Sequence, residues 1–163
     1  HFIDQAFRSC FHLGKGLLCS LLRLLEQRLR LCFGISEMPT FAYNEHGKPF
    51  LKEYPNVHFS ISHCKEAVGC LVADHPCGLD IEYIRKAKPD LVRHTMSEEE
   101  TEIIFSSSCP DIAFTRFWTQ KEAVLKLSGE GIRRDLKTLL TGQENTETIV
   151  DEVKGYVCTI AMK

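Results

Sequence analysis

The strongest constraint on what this chain can fold into is a change of hydrophobic period, from helical to extended and back again. Leucines at 17, 18, 21, 22, 25 and 29 recur at three- and four-residue spacing. That spacing lays an apolar stripe along one side of a helix predicted over residues 15–32, with Gly34 as its stop. From residue 40 to 82 the chain breaks into short β-type runs, 41–43, 57–61, 67–73 and 77–82, separated by turn residues. The segment NEHGKP at 44–49 is the clearest turn, and Asp74-His75-Pro76 the next. Helical periodicity returns after Pro89. Ser97 with Glu100 three residues on has the form of a capping box and opens a helix predicted to reach about Phe105. Residues 106–111 break it, and a second helix is predicted over 112–127, ending at Ser128-Gly129-Glu130-Gly131. Two late strands, 148–153 and 156–162, meet at a Lys154-Gly155 hairpin turn. A strand-rich first half and a helix-led second half read as an α+β fold.

Composition narrows the function classes. A chain of 163 residues, 44% hydrophobic, suits one domain or two small lobes and can bury a substantial core. Twenty Lys plus Arg against 22 Asp plus Glu leave a formal charge of -2, so no global basic field exists to hold nucleic acid or an anionic membrane. A phosphate ligand has to be held by local positive groups. The most apolar stretch, 17–33, carries Arg23, Glu26, Arg28 and Arg30, which a bilayer core does not accept without partners. It is not expected to span a membrane. The eight cysteines fall at 10, 19, 32, 64, 70, 77, 109 and 158 without a CxxC pair, and are expected to be reduced, mostly buried thiols of a cytoplasmic protein. A zinc site drawn from His58, His63 and Cys64 lacks a second cysteine pair. Gly14-Lys15-Gly16 lacks the upstream glycine and the following Ser or Thr of a P-loop. The chain starts at His1 rather than Met, which leaves an upstream segment, cut away or replaced, as an expectation.

Two segments carry groups that could do chemistry. In Gly78-Leu79-Asp80-Ile81-Glu82, strand alternation puts Asp80 and Glu82 on one face and Leu79 and Ile81 on the other. Two adjacent carboxylates repel unless a cation or a raised pKa relieves them, and a hard divalent metal is the usual solution. The same pattern is also the wet face of an edge strand. In the segment from Phe117 to Lys126, Glu122 and Lys126 stand four apart on a helix and share a face with Trp118. Alone, that pair reads equally as a surface salt bridge.

The conjunction of these segments with Gly47-Lys48-Pro49 and Phe59-Ser60-Ile61-Ser62-His63 changes the reading. GKP, then FSISH, then GLDIE, then WTQKEAVLK, in that order, resembles the signature of the Sfp-like class of 4′-phosphopantetheinyl transferases, in the branch with Trp and KEA in the last motif. The resemblance covers residues 15–132. It implies two similar lobes related by a pseudo-twofold, each a small antiparallel sheet on a long helix, at about 1–86 and 87–163 and forming one compact unit. It implies transfer of the phosphopantetheine arm of coenzyme A to a serine of an apo acyl or peptidyl carrier protein, releasing adenosine 3′,5′-bisphosphate, by a Mg²⁺-dependent monomer that needs neither nucleic acid nor membrane. Asp80, Glu82 and Glu122 would hold the metal, Lys126 would reach a phosphate oxygen, and Lys121 would be a further binding lysine. Ser62 and His63 would meet the phosphates of coenzyme A. Gly47, Lys48 and Pro49 would lie against the adenine, and Lys15 takes the place of a basic residue for the 3′-phosphate, or is simply a solvated lysine at a helix start. A serine-activating glutamate is expected in the stretch after the metal strand, with Glu98 as the candidate and Glu100 claimed by the cap. The chain departs from the pattern in Arg93-His94-Thr95, where an aromatic is usual, and in Cys64 after the SH pair. It is also short for the class. A catalytically inactive coenzyme A-binding homologue, or an N-terminally truncated form, is the alternative.

Overall fold

The computed structural model describes residues 17–65, 67–130, 135–141 and 144–163. Helix α1 (Leu17–Phe33) turns Leu21, Leu24, Leu25 and Leu29 inward, each no more than 4% exposed, as the stripe dictates. It stops where Gly34, at φ 69°, lets the chain turn back: Gly34 N–H donates to the Arg30 carbonyl and Ile35 N–H to that of Leu29. The buried leucines pack on Phe59, Val68 and Cys70.

Strands β1 (Phe41–Tyr43) and β2 (Pro49–Leu51) flank the NEHGKP turn as an antiparallel pair. The second of them does not stand out in the sequence, being three residues long and opened by a proline. Strands β3 (His58–His63) and β4 (Val68–Ala73) form a second hairpin. The third sheet has the order β5-β7-β6, where β5 is Cys77–Tyr83, β6 Thr146–Asp151 and β7 Tyr156–Met162. Position 86 falls just after β5, whose antiparallel partner β7 lies some seventy residues further along the chain. The β6–β7 turn is longer than two residues: Asp151 ends its strand and its carboxylate accepts from Lys154 N–H at 2.9 Å, with Gly155 at φ 72°.

Among the described residues three α-helices rather than two come after β5, followed by a short 3-10 turn at Leu136–Thr138. α2 (Pro89–Thr95) starts on a proline, α3 (Glu98–Ser106) on the expected capping box, and α4 (Pro110–Ser128) on a second proline. In the box, Ser97 Oγ accepts from Glu100 N–H at 3.1 Å and the Glu100 carboxylate accepts from Ser97 N–H at 2.8 Å. Val92, Met96, Ile104 and Phe114 join the three helices in one apolar cluster. Among the described residues no helix is long and apolar enough to cross a membrane. Of the described cysteines, 64, 70, 77 and 158 are buried and 19, 32 and 109 exposed. Burial pushes the Cys70 thiol up to about 12 and Cys77 to about 11, so these two thiols stay protonated and inert.

Helix α4 lies directly on β5, and Gly78 is the residue that permits it. A Cβ at this position would stand 2.0 Å from the Ala123 carbonyl oxygen and 2.6 Å from the Leu127 nitrogen. The absent side chain lets the helix backbone touch the strand, and small, fully buried Ala123 faces it. This contact sets Glu122 and Lys126 of the helix beside Asp80 of the strand.

Candidate active site

Strands β3 and β5 run side by side but belong to different sheets, and serine hydroxyls join them. Ser60 Oγ accepts from Leu79 N–H at 2.9 Å, and Ser62 Oγ accepts from Ile81 N–H at 3.2 Å. Residues two apart on one strand thus satisfy amides two apart on the other, where ladder bonds are missing. The outer edge of β5 is therefore covered, and Asp80 is only 7% exposed, which removes the reading of this strand as a wet edge.

Ser62 Oγ also donates to Asp80 Oδ1 at 2.9 Å. Lys126 Nζ reaches both atoms from α4, at 2.8 Å from Asp80 Oδ1 and 2.9 Å from Ser62 Oγ. Glu122, one turn earlier on the helix, and Glu82, two residues along the strand, complete the charged group. Burial raises the Glu122 carboxyl above the usual range, and the charges of Asp80 and Glu82 raise it further, against the opposing pull of Lys126. Glu82 is raised by burial and by Asp80, while the Tyr83 N–H it accepts from at 3.0 Å, Arg85 and Lys126 counter it. Glu122 and Glu82 therefore both feel the charges of Asp80 and the lysine. They do not form a ready cage: among the described residues no three His, Cys, Asp or Glu side chains are grouped to hold a metal ion.

Beside this group opens a cavity of about 260 Å³, walled by the turn residues His46 to Pro49, by Phe59, Ser60 and Ile61 of β3, and by Glu122, Leu125, Lys126 and Gly129. Asn44 shapes the turn: its Oδ1 accepts from His46 N–H at 2.9 Å and Lys48 N–H at 2.8 Å, and its Nδ2 donates to the Gly129 carbonyl at 3.0 Å. Gly47 and Gly129 take positive φ, 83° and 71°. The Lys48 ammonium caps the end of α4, donating to the Lys126 carbonyl at 2.6 Å. Its burial lowers its pKa.

Of the residues singled out in the sequence, Gly47, Lys48, Pro49, Glu122 and Lys126 line this cavity, and Ser62 and Asp80 are tied to Lys126 beneath it. His63 stands at the exposed end of β3. Lys121 does not line the cavity: it is 1% exposed, pairs with Glu100 Oε2 at 2.7 Å and donates to the Leu136 carbonyl. Glu98 is exposed on α3 and lines a different, open depression with Arg93 and Lys137. Lys15 lies outside the described residues. Sequence reasoning misses the buried Glu100–Lys121 pair, reading Glu100 only as the partner of Ser97 in the cap. It also misses the bracing role of Ser60 and the ring contacts of Arg85. The Arg85 guanidinium lies 5.4 Å from the Trp118 ring centre and 5.9 Å from that of Tyr83, and 3.6 Å from Glu82 Oε2. Ser60, Lys121 and the Arg85–Trp118 contact have no local signal, because their partners are distant in sequence.

Four separate sequence segments thus meet at one acid-and-lysine cleft, the kind of site that handles a phosphorylated ligand. Residues 76–159 match the family model of the 4′-phosphopantetheinyl transferase superfamily. The chain is 32% identical over 113 residues to the 4′-phosphopantetheinyl transferase gsp of Aneurinibacillus migulanus, covering 68% of this chain and 46% of that protein. It is 31% identical over 96 residues to a 4′-phosphopantetheinyl transferase of Bacillus subtilis, covering 57% and 42%. With the 4′-phosphopantetheinyl transferase AcpT of Salmonella typhi it shares 31% identity over 151 residues, covering 83% and 74%. The chain belongs to the 4′-phosphopantetheinyl transferase superfamily. It spans about half the length of the first two relatives.

Proposed function

We propose that this chain carries out, or supplies the site for, transfer of the 4′-phosphopantetheine arm of coenzyme A to a serine of an apo acyl or peptidyl carrier protein in the cytoplasm. The observation that carries the reading is the meeting of the GKP turn, the FSISH strand, the GLDIE strand and the KEAVLK helix around one cavity. The two lobes of the class would fall at 1–86 and 87–163, a division in keeping with cavity walls drawn from residues 46–61 and 122–129. The serine oxygen would attack the phosphorus that bears the pantetheine arm. The bond from that phosphorus to the bridging oxygen breaks, and adenosine 3′,5′-bisphosphate leaves with the electron pair.

The residues suit that chemistry. The apolar lining residues Pro49, Phe59 and Leu125 suit contact with an aromatic ring, and Gly47 would let the backbone approach it. Lys126 provides a cation for phosphate oxygens in a shielded place, where such contacts contribute most; Ser62 adjoins it, and His63 is the next residue of the strand, proposed to reach a phosphate from the exposed side. The mutual repulsion of Asp80, Glu82 and Glu122 is the donor chemistry that a hard divalent ion relieves, so these three would hold Mg²⁺. Bound there together with phosphate oxygens and water, the ion would offset charge on the leaving phosphate. Glu98, exposed where a protein substrate can reach it, is the proposed acceptor of the serine proton. Lys121, locked to Glu100, would contribute by holding α3 against α4.

The test is intact mass of a panel of apo carrier proteins after incubation with the chain, coenzyme A and Mg²⁺. The expected result is addition of one phosphopantetheine, lost in Asp80→Ala. A panel left unmodified, with a known transferase active in parallel, would overturn the reading; retained coenzyme A binding would then favour the inactive homologue.

A further inference from the structure

We infer that a second cavity, between the end of α1 and strand β4, is a binding site for a small monocarboxylate with an apolar body, held by Arg28. The inference is independent of the function proposed above. The cavity, of about 280 Å³, is bounded by Arg28, Cys32 and Phe33 from the last turns of α1, by residues 70–73 of β4, by Asp74 and His75, and by Met162 at the end of β7. It shares no lining residue with the cavity beside Lys126. Cys70, Leu71 and Val72 on its wall are instead the cross-strand partners of Ile61, Ser60 and Phe59 on the other, so one hairpin contributes to both.

The guanidinium on this wall is uncompensated. Arg28 Nη2 is buried without a hydrogen-bond partner, and among the described residues no ion pair or hydrogen bond holds the rest of the group. A shielded charge left unpaired is costly, and the other charged residues of α1, Arg23, Glu26 and Arg30, avoid that cost by being exposed. Burial raises the Cys70 thiol and the Arg28 charge works against it, so that charge is felt at the wall itself. An anion in the cavity would relieve it. A planar fork of donors matches a carboxylate with two parallel hydrogen bonds, and a small rotation of the side chain turns the orphan nitrogen toward the cavity. The remaining lining decides which anion fits. His75 Nδ1 and Asp74 Oδ1 stand 2.6 Å apart at the rim, so the imidazole already has a partner, and the Asp74 carboxylate repels dianions such as phosphate. Phe33, Leu71, Val72 and Met162 present apolar surface to hydrocarbon. At ~30 Å³ for each water-sized group, the volume takes roughly nine heavy atoms, the size of benzoate or hexanoate.

The test titrates benzoate and hexanoate, their uncharged counterparts benzyl alcohol and hexanol, and inorganic phosphate into the full chain by calorimetry. Wild type, Arg28→Met and Arg28→Lys are compared, each checked for native circular dichroism. In parallel, alkylation of each cysteine by iodoacetamide is followed by peptide mass. Cys32 is exposed and lines the cavity, whereas Cys19 and Cys109 are exposed outside it. At least one carboxylate is expected to bind wild type with a Kd of roughly 1 mM or tighter and to slow alkylation of Cys32 but not of Cys19 or Cys109. Its affinity is expected to fall about tenfold or more in Arg28→Met, with Arg28→Lys in between because a point charge cannot grip both oxygens. Failure of both carboxylates to bind would overturn the inference. So would an affinity unchanged in Arg28→Met, phosphate or an alcohol binding as tightly as the carboxylate, or a Cys32 that reacts at the same rate with and without it.

Discussion

Gly78 shows how much a single position can hold in place. Its missing Cβ is the space in which the Ala123 carbonyl of α4 sits, and the neighbours it would strike are backbone atoms that cannot rotate aside. Gly78→Ala is therefore expected to cost ~3 kcal/mol or more, at or beyond the upper end of ordinary overpacking, and to weaken the proposed binding of coenzyme A by moving Glu122 and Lys126 off Asp80. Urea unfolding and calorimetry check this. A loss below ~0.5 kcal/mol, the range of neutral surface changes, would mean that α4 does not press on β5. Single residues are also where the sequence is most and least informative. Asp80, Glu82, Glu122 and Lys126 are legible because their motifs fix type and spacing together. The double duty of Ser62, which braces Asp80 as well as closing the β3–β5 gap, is not. A strand reading S-x-S looks like any polar face until its neighbour is known.

Among the elements, the period of the sequence locates the end of α1 to within one residue, because the leucine stripe is long and Gly34 stops it; its predicted start at residue 15 lies outside the described residues. The site helix α4 extends two residues beyond its predicted start, to Pro110, since proline is well suited to a first turn. Helix α2 does not separate from α3 in the sequence pattern, since seven residues give less than two clear turns of it. The junction of β5 with α4 has a property that only the assembled elements confer: it brings together acids that the unfolded chain keeps apart. Burial and mutual charge hold Glu122 and Glu82 above the ordinary glutamate value in the folded state. The native state thus binds more protons than the unfolded one between that ordinary value and the raised ones, and in this window stability falls as pH rises. Below the window both states are protonated and the penalty vanishes. Glu122→Gln is expected to stabilise the metal-free protein at neutral pH and to lose that advantage as pH drops below the ordinary glutamate range. Melting temperatures across pH read this directly, and an advantage that grows on acidification would contradict it.

For the molecule as a whole, the question is whether the halves flanking position 86 act as separate lobes or as one cooperative body. Two lobes from one chain suggest a hinge, but the connections across this point are of the kind that couple. β5 hydrogen-bonds along its length to β7, and α4 lies against it through Gly78. Lys48 and Asn44 of the first half hold the carbonyls that end α4, and Arg85 stacks on Trp118. Interfaces between independent domains are more polar and sparser than this; here Leu79 and Ile81 share a core cluster with Tyr156, Cys158 and Ile160. Unfolding is accordingly expected to be a single transition. The chain has one tryptophan, Trp118 in the second half, so its fluorescence reports on α4 while far-ultraviolet circular dichroism reports on every helix and strand. Their urea curves should share midpoint and slope. If the tryptophan signal is lost while a substantial circular dichroism change comes separately, the halves unfold independently. The close seating of the motif lysine against the strand carboxylate would then depend on a hinge rather than on a shared core.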